Sequence, residues 1–318
     1  MKMKLIVSHS PHIYRTETID KIMWSVSLSL IPAGLAGVLF FGYHALLVIF
    51  LCTFTAVFTE ALIQILTKQK ITIGDGSAFL TGLLLAYNLP PQVPFWIPLV
   101  GSFFSISIGK QIFGGLGQNI VNPALLGRVF LLASWPKYMT TFTKPNFNLL
   151  NFFKSDAITA PTPLSLLKES KPIDVTYLDL FLGNKGGCIG EVCVVALLLG
   201  ALYLLIKKYI YLYIPLTYIG TVAIFTYIFG PGGFFKGDWL FNILSGGLIL
   251  GAFFMATDYV TSPLTAKGQI IFGIGCGILT SIIRLWGGYP EGVSYAILIM
   301  NLSTPLIDRY TKSKIFGR

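Results

Sequence analysis

Several ionisable side chains fall inside or at the edges of strongly apolar runs: Glu60, Lys110, Arg128, Glu191, Asp258, Arg284 and Glu291. A charge at bilayer depth is expensive and pairs with another charge, a backbone carbonyl or a ligand, so each is a functional candidate. Lys110, Arg284 and Asp258 stand near the ends of their runs, where side chains can snorkel to the interface and a structural role suffices. Arg128 differs, because in "NPALLGRVFLL" apolar residues flank it on both sides. It needs a cofactor phosphate, a carboxylate or exposed backbone. Asp75 in "GDGSA" and Asp258 in "MATD" stand in two stretches that read as interrupted helices. Together with Glu191 and Glu291 they are the candidates for an ion path, since carboxylates and carbonyls suit a hard cation. Asn122 in "QNIVNPA" and Asn301 in "IMNLSTP" are amides that can read the rim of a heterocycle.

A second kind of candidate lies in the polar, proline-punctuated segment around 156–164, "DAITAPTPL". Each proline drives the residue before it toward extended backbone. Thr162, between Pro161 and Pro163, is therefore expected on a non-helical strand, with its hydroxyl within reach of another enzyme. Thr-Pro-rich loops are common, so the pattern alone defines no site.

The elements that must position these groups follow from composition. Of 318 residues, 54% are hydrophobic and 11% charged, where a soluble domain carries roughly a quarter charged residues. The chain reads as an all-α integral membrane protein. Apolar runs long enough to cross about 30 Å of hydrocarbon occur at 22–42, 43–66, 94–112, 118–136, 188–206, 210–229, 269–286 and 292–308, and interrupted runs at 77–89 and 240–256. These give about ten transmembrane helices. Alternating ten-residue segments of the outer-membrane barrel type are absent. The first run follows a polar leader and is too long for the core of a secretory signal.

The net charge of +10 is read by placement, because basic residues mark cytoplasmic loops. Lys2, Lys4, Arg15, Lys21, Lys68, Lys70, Lys207, Lys208, Lys267, Arg309, Lys312, Lys314 and Arg318 all fall on one side of a ten-span topology. Both termini are thus expected in the cytoplasm, and nucleic acid is not an expected partner. The resulting plan is a cytoplasmic segment 1–21, a first transmembrane repeat 22–136, an extracytoplasmic loop 137–187, a second repeat 188–309 and a cytoplasmic tail 310–318. Cys52, Cys188, Cys193 and Cys276 form no C-x-x-C pair and read as packing residues rather than cluster ligands. His9, His12 and His44 offer no pair for haem. No metal site and no catalytic residue are expected.

Two regions resemble each other: "FLTGLLLAYNLPP" and "ILSGGLILGAFFMATDYVTSP" are small-residue-rich apolar runs stopped by proline. Downstream of each, an apolar helix ends in a basic residue, Lys110 or Arg284, and then a Gly-Gly pair. Two halves of five spans each must enter the membrane from opposite sides, which makes an inverted repeat whose interrupted helices, 74–91 and 243–263, mark a ligand or ion path.

Six blocks in order, "GDGSAFLTGLLLAYNLPP", "IFGGLGQNIVNPALLGRVFL", "DAITAPTPL", "LFLGNKGGCIGE", "FFMATDYVTSP" and "YPEGVSYAILIMNLSTPLID", give nearly the whole chain a specific resemblance. It resembles the family containing the D subunit of Rnf-type ion-translocating ferredoxin:NAD oxidoreductases and the B subunit of the sodium-pumping NADH:quinone reductase. The resemblance implies FMN joined through its phosphate to Thr162 by a flavin transferase, in a motif of the form D-x-x-[ST]-x-A-T matched by Asp156, Thr159 and Thr162. Pro161 stands where that pattern has alanine, and Tyr259 where the family usually has proline after "MATD". The resemblance also implies a noncovalent riboflavin, for which Asn122 and the "NPALLGR" helix with Arg128 are the candidate contacts. The polar stretch before the first apolar run is short, which favours the Rnf branch, working with the C, G, E, A and B subunits in the bacterial inner membrane. Alternatives are the quinone-reductase branch, or a channel or transporter with inverted repeats and no redox partner. No G-x-G-x-x-G follows a predicted strand, so this chain has no NAD site and no activity alone is expected.

Overall fold

A computed structural model describes residues 17–145, 160–169, 171–172, 175–230 and 233–312, and its regular elements there are all helical. They are α1 (Ile19–Ser29), α2 (Ile31–Phe41), α3 (Tyr43–Leu66), α4 (Ser77–Tyr87), α5 (Trp96–Ile106), α6 (Pro123–Ser134), α7 (Pro136–Met139), α8 (Pro163–Lys168), α9 (Tyr177–Leu182), α10 (Val194–Ile206), α11 (Tyr213–Phe229), α12 (Trp239–Leu244), α13 (Leu248–Leu250), α14 (Ala266–Trp286) and α15 (Val293–Tyr310). Wider π-helical turns extend α5 over Ser107–Gln111 and α13 over Gly251–Met255.

Local chemistry sets most boundaries. The Thr18 hydroxyl caps α1 on the Lys21 N–H, and the Thr265 hydroxyl caps α14 on the Gly268 N–H at 3.1 Å. Asn122 caps α6 with Pro123 in the first turn, where its missing N–H costs nothing. Thr176 and Asp179 form a reciprocal capping box on α9. The Thr176 hydroxyl and the Asn184 amide, bonded to its carboxylate, hold the Asp179 pKa below the usual range.

Three helical stretches, Ile19–Phe41, Tyr43–Leu66 and Ala266–Trp286, are long and apolar enough to cross a membrane. Their outer faces carry the signature of lipid contact. On α3, Phe50, Phe54 and Phe58 are exposed at one-turn spacing with ring centroids 5.8 and 6.2 Å apart. In water such a stripe is a liability; in hydrocarbon it is solvated.

Packing repeats between the halves. Helix α3 lies on α4 and α5, and α5 on α6; α11 lies on α12 and α14, and α14 on α15. The halves meet through α1 and α2 against α10, and α6 against α15. Along α6, Asn122 lies beside Asn301 deep in α15, while Arg128 reaches Glu291 just before α15 begins. The two helices are therefore antiparallel, and the ends of α5 and α14, which carry Lys110 and Arg284, lie at opposite ends of the bundle. This arrangement is that of an inverted repeat.

The expected helix over 188–206 begins only at Val194. Residues 188–190 instead dock on the end of α4: the Ile189 N–H donates to Leu89 O at 3.1 Å and the Gly190 N–H to Tyr87 O at 3.0 Å. A short helix ending inside the protein leaves carbonyls that need donors, and this backbone supplies them. Gly190 is required for the approach, since a Cβ there would lie 2.3 Å from the Tyr87 Cβ. Gly190→Ala should therefore lower the melting temperature of the detergent-solubilised protein by several degrees, consistent with about 1–3 kcal/mol for overpacking. An unchanged melt would show that this docking is not native.

Candidate functional site

Thr162 has extended backbone (φ −71°, ψ 153°), as the flanking prolines dictate. It is also the N-cap of α8: its Oγ1 accepts from the Ser165 N–H at 3.2 Å. Here the structure corrects two expectations. Pro163 starts a helix rather than preventing one, because proline suits the first helical position, and Thr162 is 4% exposed rather than open to an enzyme. Its burial comes from α8, whose Leu164 packs with Leu180 and Phe241 over the start of the second broken helix. The carbonyls of Ala160 and Pro161 lie against Gly186. Beside α8 opens a cleft lined by Leu164, Lys168, Phe229, Arg284 and Trp286. Asp156 and Thr159 lie outside the described residues.

Beneath this segment the second broken helix is interrupted at Ser245–Gly247, between α12 and α13. Arg284 closes the end of α12, donating to Asn242 O at 2.6 Å and Ser245 O at 3.3 Å, and Lys185 donates to Leu244 O. Arg128 lies in the same buried cluster. Its Nη1 donates to Asn88 Oδ1 at 2.5 Å, and its Nη2 to Glu291 Oε2 at 2.6 Å with Cys188 Sγ at 3.8 Å. Glu191, 2% exposed, accepts the Cys188 N–H on Oε1 at 2.9 Å. The partner required by Arg128 is thus a carboxylate plus an amide oxygen. Glu191 and Glu291 are brought together; Asp75 and Asp258 are not among them.

Those two lie toward the opposite end. Asp75 Oδ1 accepts from the N–H and hydroxyl of Ser77 at 2.8 and 2.6 Å, which fixes the start of α4. Lys110 binds both oxygens of Glu60, at 2.8 and 2.6 Å, and Ser77 Oγ at 2.6 Å. All three donors of this ammonium are used. A cleft between the halves contains Lys110, Asn119, Asn122, Phe254 and Asp258. Asn122 is already engaged there: its Oδ1 caps α6 on Ala124 and Leu125, and its Nδ2 donates to Met255 O at 3.4 Å. Only with its amide oxygen and nitrogen exchanged does Asn301 satisfy its neighbours, Nδ2 then donating to the carbonyls of Ile297 and Thr261 and Oδ1 accepting from the Asn122 N–H.

Asn88, Lys185 and Cys188 escape sequence reasoning. Asn88 had a signal, an amide immediately before Leu-Pro-Pro at the end of an interrupted apolar run; Lys185 reads as an ordinary loop lysine and Cys188 as packing. Among the described residues no group of three or more His, Cys, Asp or Glu side chains is placed to hold a metal ion.

Two similarly packed, oppositely directed sets of apolar helices, each with a break beside a buried Lys or Arg, define the class of all-helical multi-pass membrane proteins. The chain belongs to the NQR2, RnfD, RnfE family, matched over residues 6–317. It is 51% identical to the D subunit of the proton-translocating ferredoxin:NAD(+) oxidoreductase complex of Clostridium ljungdahlii, over 98% of this chain and 96% of that one. It is 50% identical to the D subunit of the Na(+)-translocating ferredoxin:NAD(+) oxidoreductase complex of Acetobacterium woodii, covering 99% and 96%. With the D subunit of the ion-translocating oxidoreductase complex of Escherichia coli it shares 35% over 98% of both chains.

Proposed function

We propose that this chain is the flavin-bearing membrane subunit of an Rnf-type complex that moves electrons between ferredoxin and NAD and couples them to transport of Na⁺ or H⁺. The reading rests on one observation, full-length similarity to the D subunits of two such complexes, one named for each ion. The C, G, E, A and B subunits are its partners, and the cell's inner membrane its location, with both termini cytoplasmic and Thr162 at the extracytoplasmic end.

The residues present suit a tethered flavin. Thr162 supplies a hydroxyl on extended backbone at the start of α8, and α8 borders a cleft with aromatic walls (Phe229, Trp286). A flavin transferase would form the phosphoester on its Oγ1, using Asp156 and Thr159 for recognition. Because Thr162 is buried and capping α8, attachment requires the 160–168 segment to lift from α12. FMN, when bound, supplies transfer of one or two electrons. This chain would hold it through Thr162, near the aromatic side chains Phe229 and Trp286. The cleft between the halves, with Asn119 and Asn122 among apolar walls, is the candidate place for a noncovalent riboflavin, although both amides are already bonded to the chain. Asp75, Glu191, Asp258 and Glu291 are the ion path.

The test is in-gel fluorescence. Material from a host with the transferase should glow under ultraviolet light after denaturing electrophoresis, and Thr162→Val should be dark at equal polypeptide abundance. A parent band that is dark, with the mass of the bare polypeptide, overturns the reading.

A further inference from the structure

The two breaks of the inverted repeat differ in one respect. At the α4 end, Lys110, Glu60 and Ser77 satisfy one another and Gln111 Nε2 alone lacks a partner among the described residues there. At the Ser245–Gly247 break, polar atoms remain unmatched: Glu191 Oε2, Glu291 Oε1, Ser245 Oγ and Arg284 Nε are buried and bond to no nitrogen or oxygen partner among the described residues. Ser245 is 0% exposed and Glu191 2%. Buried polar groups in proteins are normally satisfied, so such a concentration calls for a missing partner.

Geometry defines where that partner sits. Each carboxylate has one oxygen tied down, Glu191 by the Cys188 N–H and Glu291 by Arg128, and turns the other toward the bare backbone of the break. A Cβ at Gly247 would lie 2.9 Å from Glu191 Oε2 and 3.8 Å from Arg128 Nη1; one at Gly246 would lie 2.8 Å from Leu164 Cδ1 and 3.3 Å from both Glu291 Oε1 and Arg284 Nη2. The consecutive glycines keep this space open, and Gly246 has the positive φ of 68° that glycine adopts freely. Arg128, Lys185 and Arg284 outnumber the two carboxylates here, but their bonds are largely committed elsewhere. Arg284 and Lys185 spend their bonds on carbonyls at the end of α12, where the helix carries partial negative charge. Arg128 alone bonds a carboxylate, and Glu191 has no cation bonded to it among the described residues. The titratable groups around the break are Arg128 from α6, Lys185, Cys188 and Glu191 from the preceding loop, Arg284 from α14, and Glu291 before α15.

We propose that the Ser245–Gly247 break is a binding site for one hard monovalent cation, sodium or a proton, held by Glu191 Oε2 and Glu291 Oε1 with Ser245 Oγ as a neutral ligand. This deepens the ion-coupling reading above and rests on it. Of the four candidate carboxylates, only Glu191 and Glu291 form the site. Arg128 sets the position of Glu291 and, through Asn88, ties the site to the end of α4, so occupancy of one broken helix is mechanically linked to the other.

The test uses the purified whole complex. Equilibrium binding of ²²Na⁺ is measured at fixed ionic strength against choline, and infrared difference spectra between acid and alkaline buffer are recorded without sodium. The proposal expects one of two results: about one equivalent of sodium lost in both Glu191→Gln and Glu291→Gln, or a protonated-carboxyl band lost in those variants. The first assigns sodium as the ion, the second a proton. Glu169→Gln, at an exposed residue paired with Lys171, should retain the signal. Ser245→Ala is the gentler variant should the glutamine chains fail to assemble, and should weaken sodium binding by roughly tenfold or shift the carboxyl band. Binding and spectra indistinguishable from the parent in Glu191→Gln, or in Ser245→Ala where that chain does not assemble, would overturn the site. In-gel flavin fluorescence, read on the same samples, reports separately on the functional reading.

Discussion

Lys110→Met is expected to be among the most destabilising single substitutions in this chain. Lys110 is 2% exposed and Glu60 1%, so removing the ammonium strands a carboxylate away from water. Breaking a buried pair from one side costs about 3–5 kcal/mol, a large part of the roughly 5–15 kcal/mol that holds a domain together. The loss would fall on the start of α4, because the same ammonium binds Ser77 Oγ and Glu60 also binds Gln64 at 3.2 Å. Glu60→Leu combined with Lys110→Met should recover most of the stability, since an apolar pair of similar volume is often as stable as a buried ion pair. Melting curves of the four proteins in detergent give the coupling. If Lys110→Met melts with the parent, the pair is not formed in the folded protein.

The second large effect is expected at Arg128. Arg128→Gln should cost about 3–5 kcal/mol, because it frees Glu291 and Asn88 Oδ1 together in a buried cluster. Arg128→Lys should recover little of this. One ammonium cannot replace a guanidinium whose two nitrogens reach partners on α15's approach and at the end of α4. A double-mutant cycle with Glu291→Gln measures the pair; strictly additive losses would show that the two side chains do not meet. Because Arg128 links residues from both halves, protease sensitivity near Asn88 and near Glu291 should rise together.

The local elements were legible in the sequence for local reasons. Apolar run length marks α3 and α14, whereas the caps Asn122 and Thr265 that start α6 and α14 escape sequence reasoning. The prolines after Asn88 and the glycines at 246 and 247 announce the breaks. Thr162 was legible as extended backbone because Pro163 follows it, but its burial was not, since that depends on Leu164 meeting Leu180 and Phe241. Residues 188–193 look apolar enough for helix, yet α10 starts after them. What draws them away is the end of α4, a hundred residues earlier in the chain.

Composition and periodicity mark this as a helical membrane protein, and the six motif blocks, not composition, carry its family resemblance. The unfolded chain already carries that information. Which charges meet is settled only by folding: Lys110 with Glu60, Arg128 with Glu291 at a separation of 163 residues, and Glu191 beside the open break. Those choices depend on which helices pack and in what register, and a buried charge accepts whichever partner that packing places within hydrogen-bond reach.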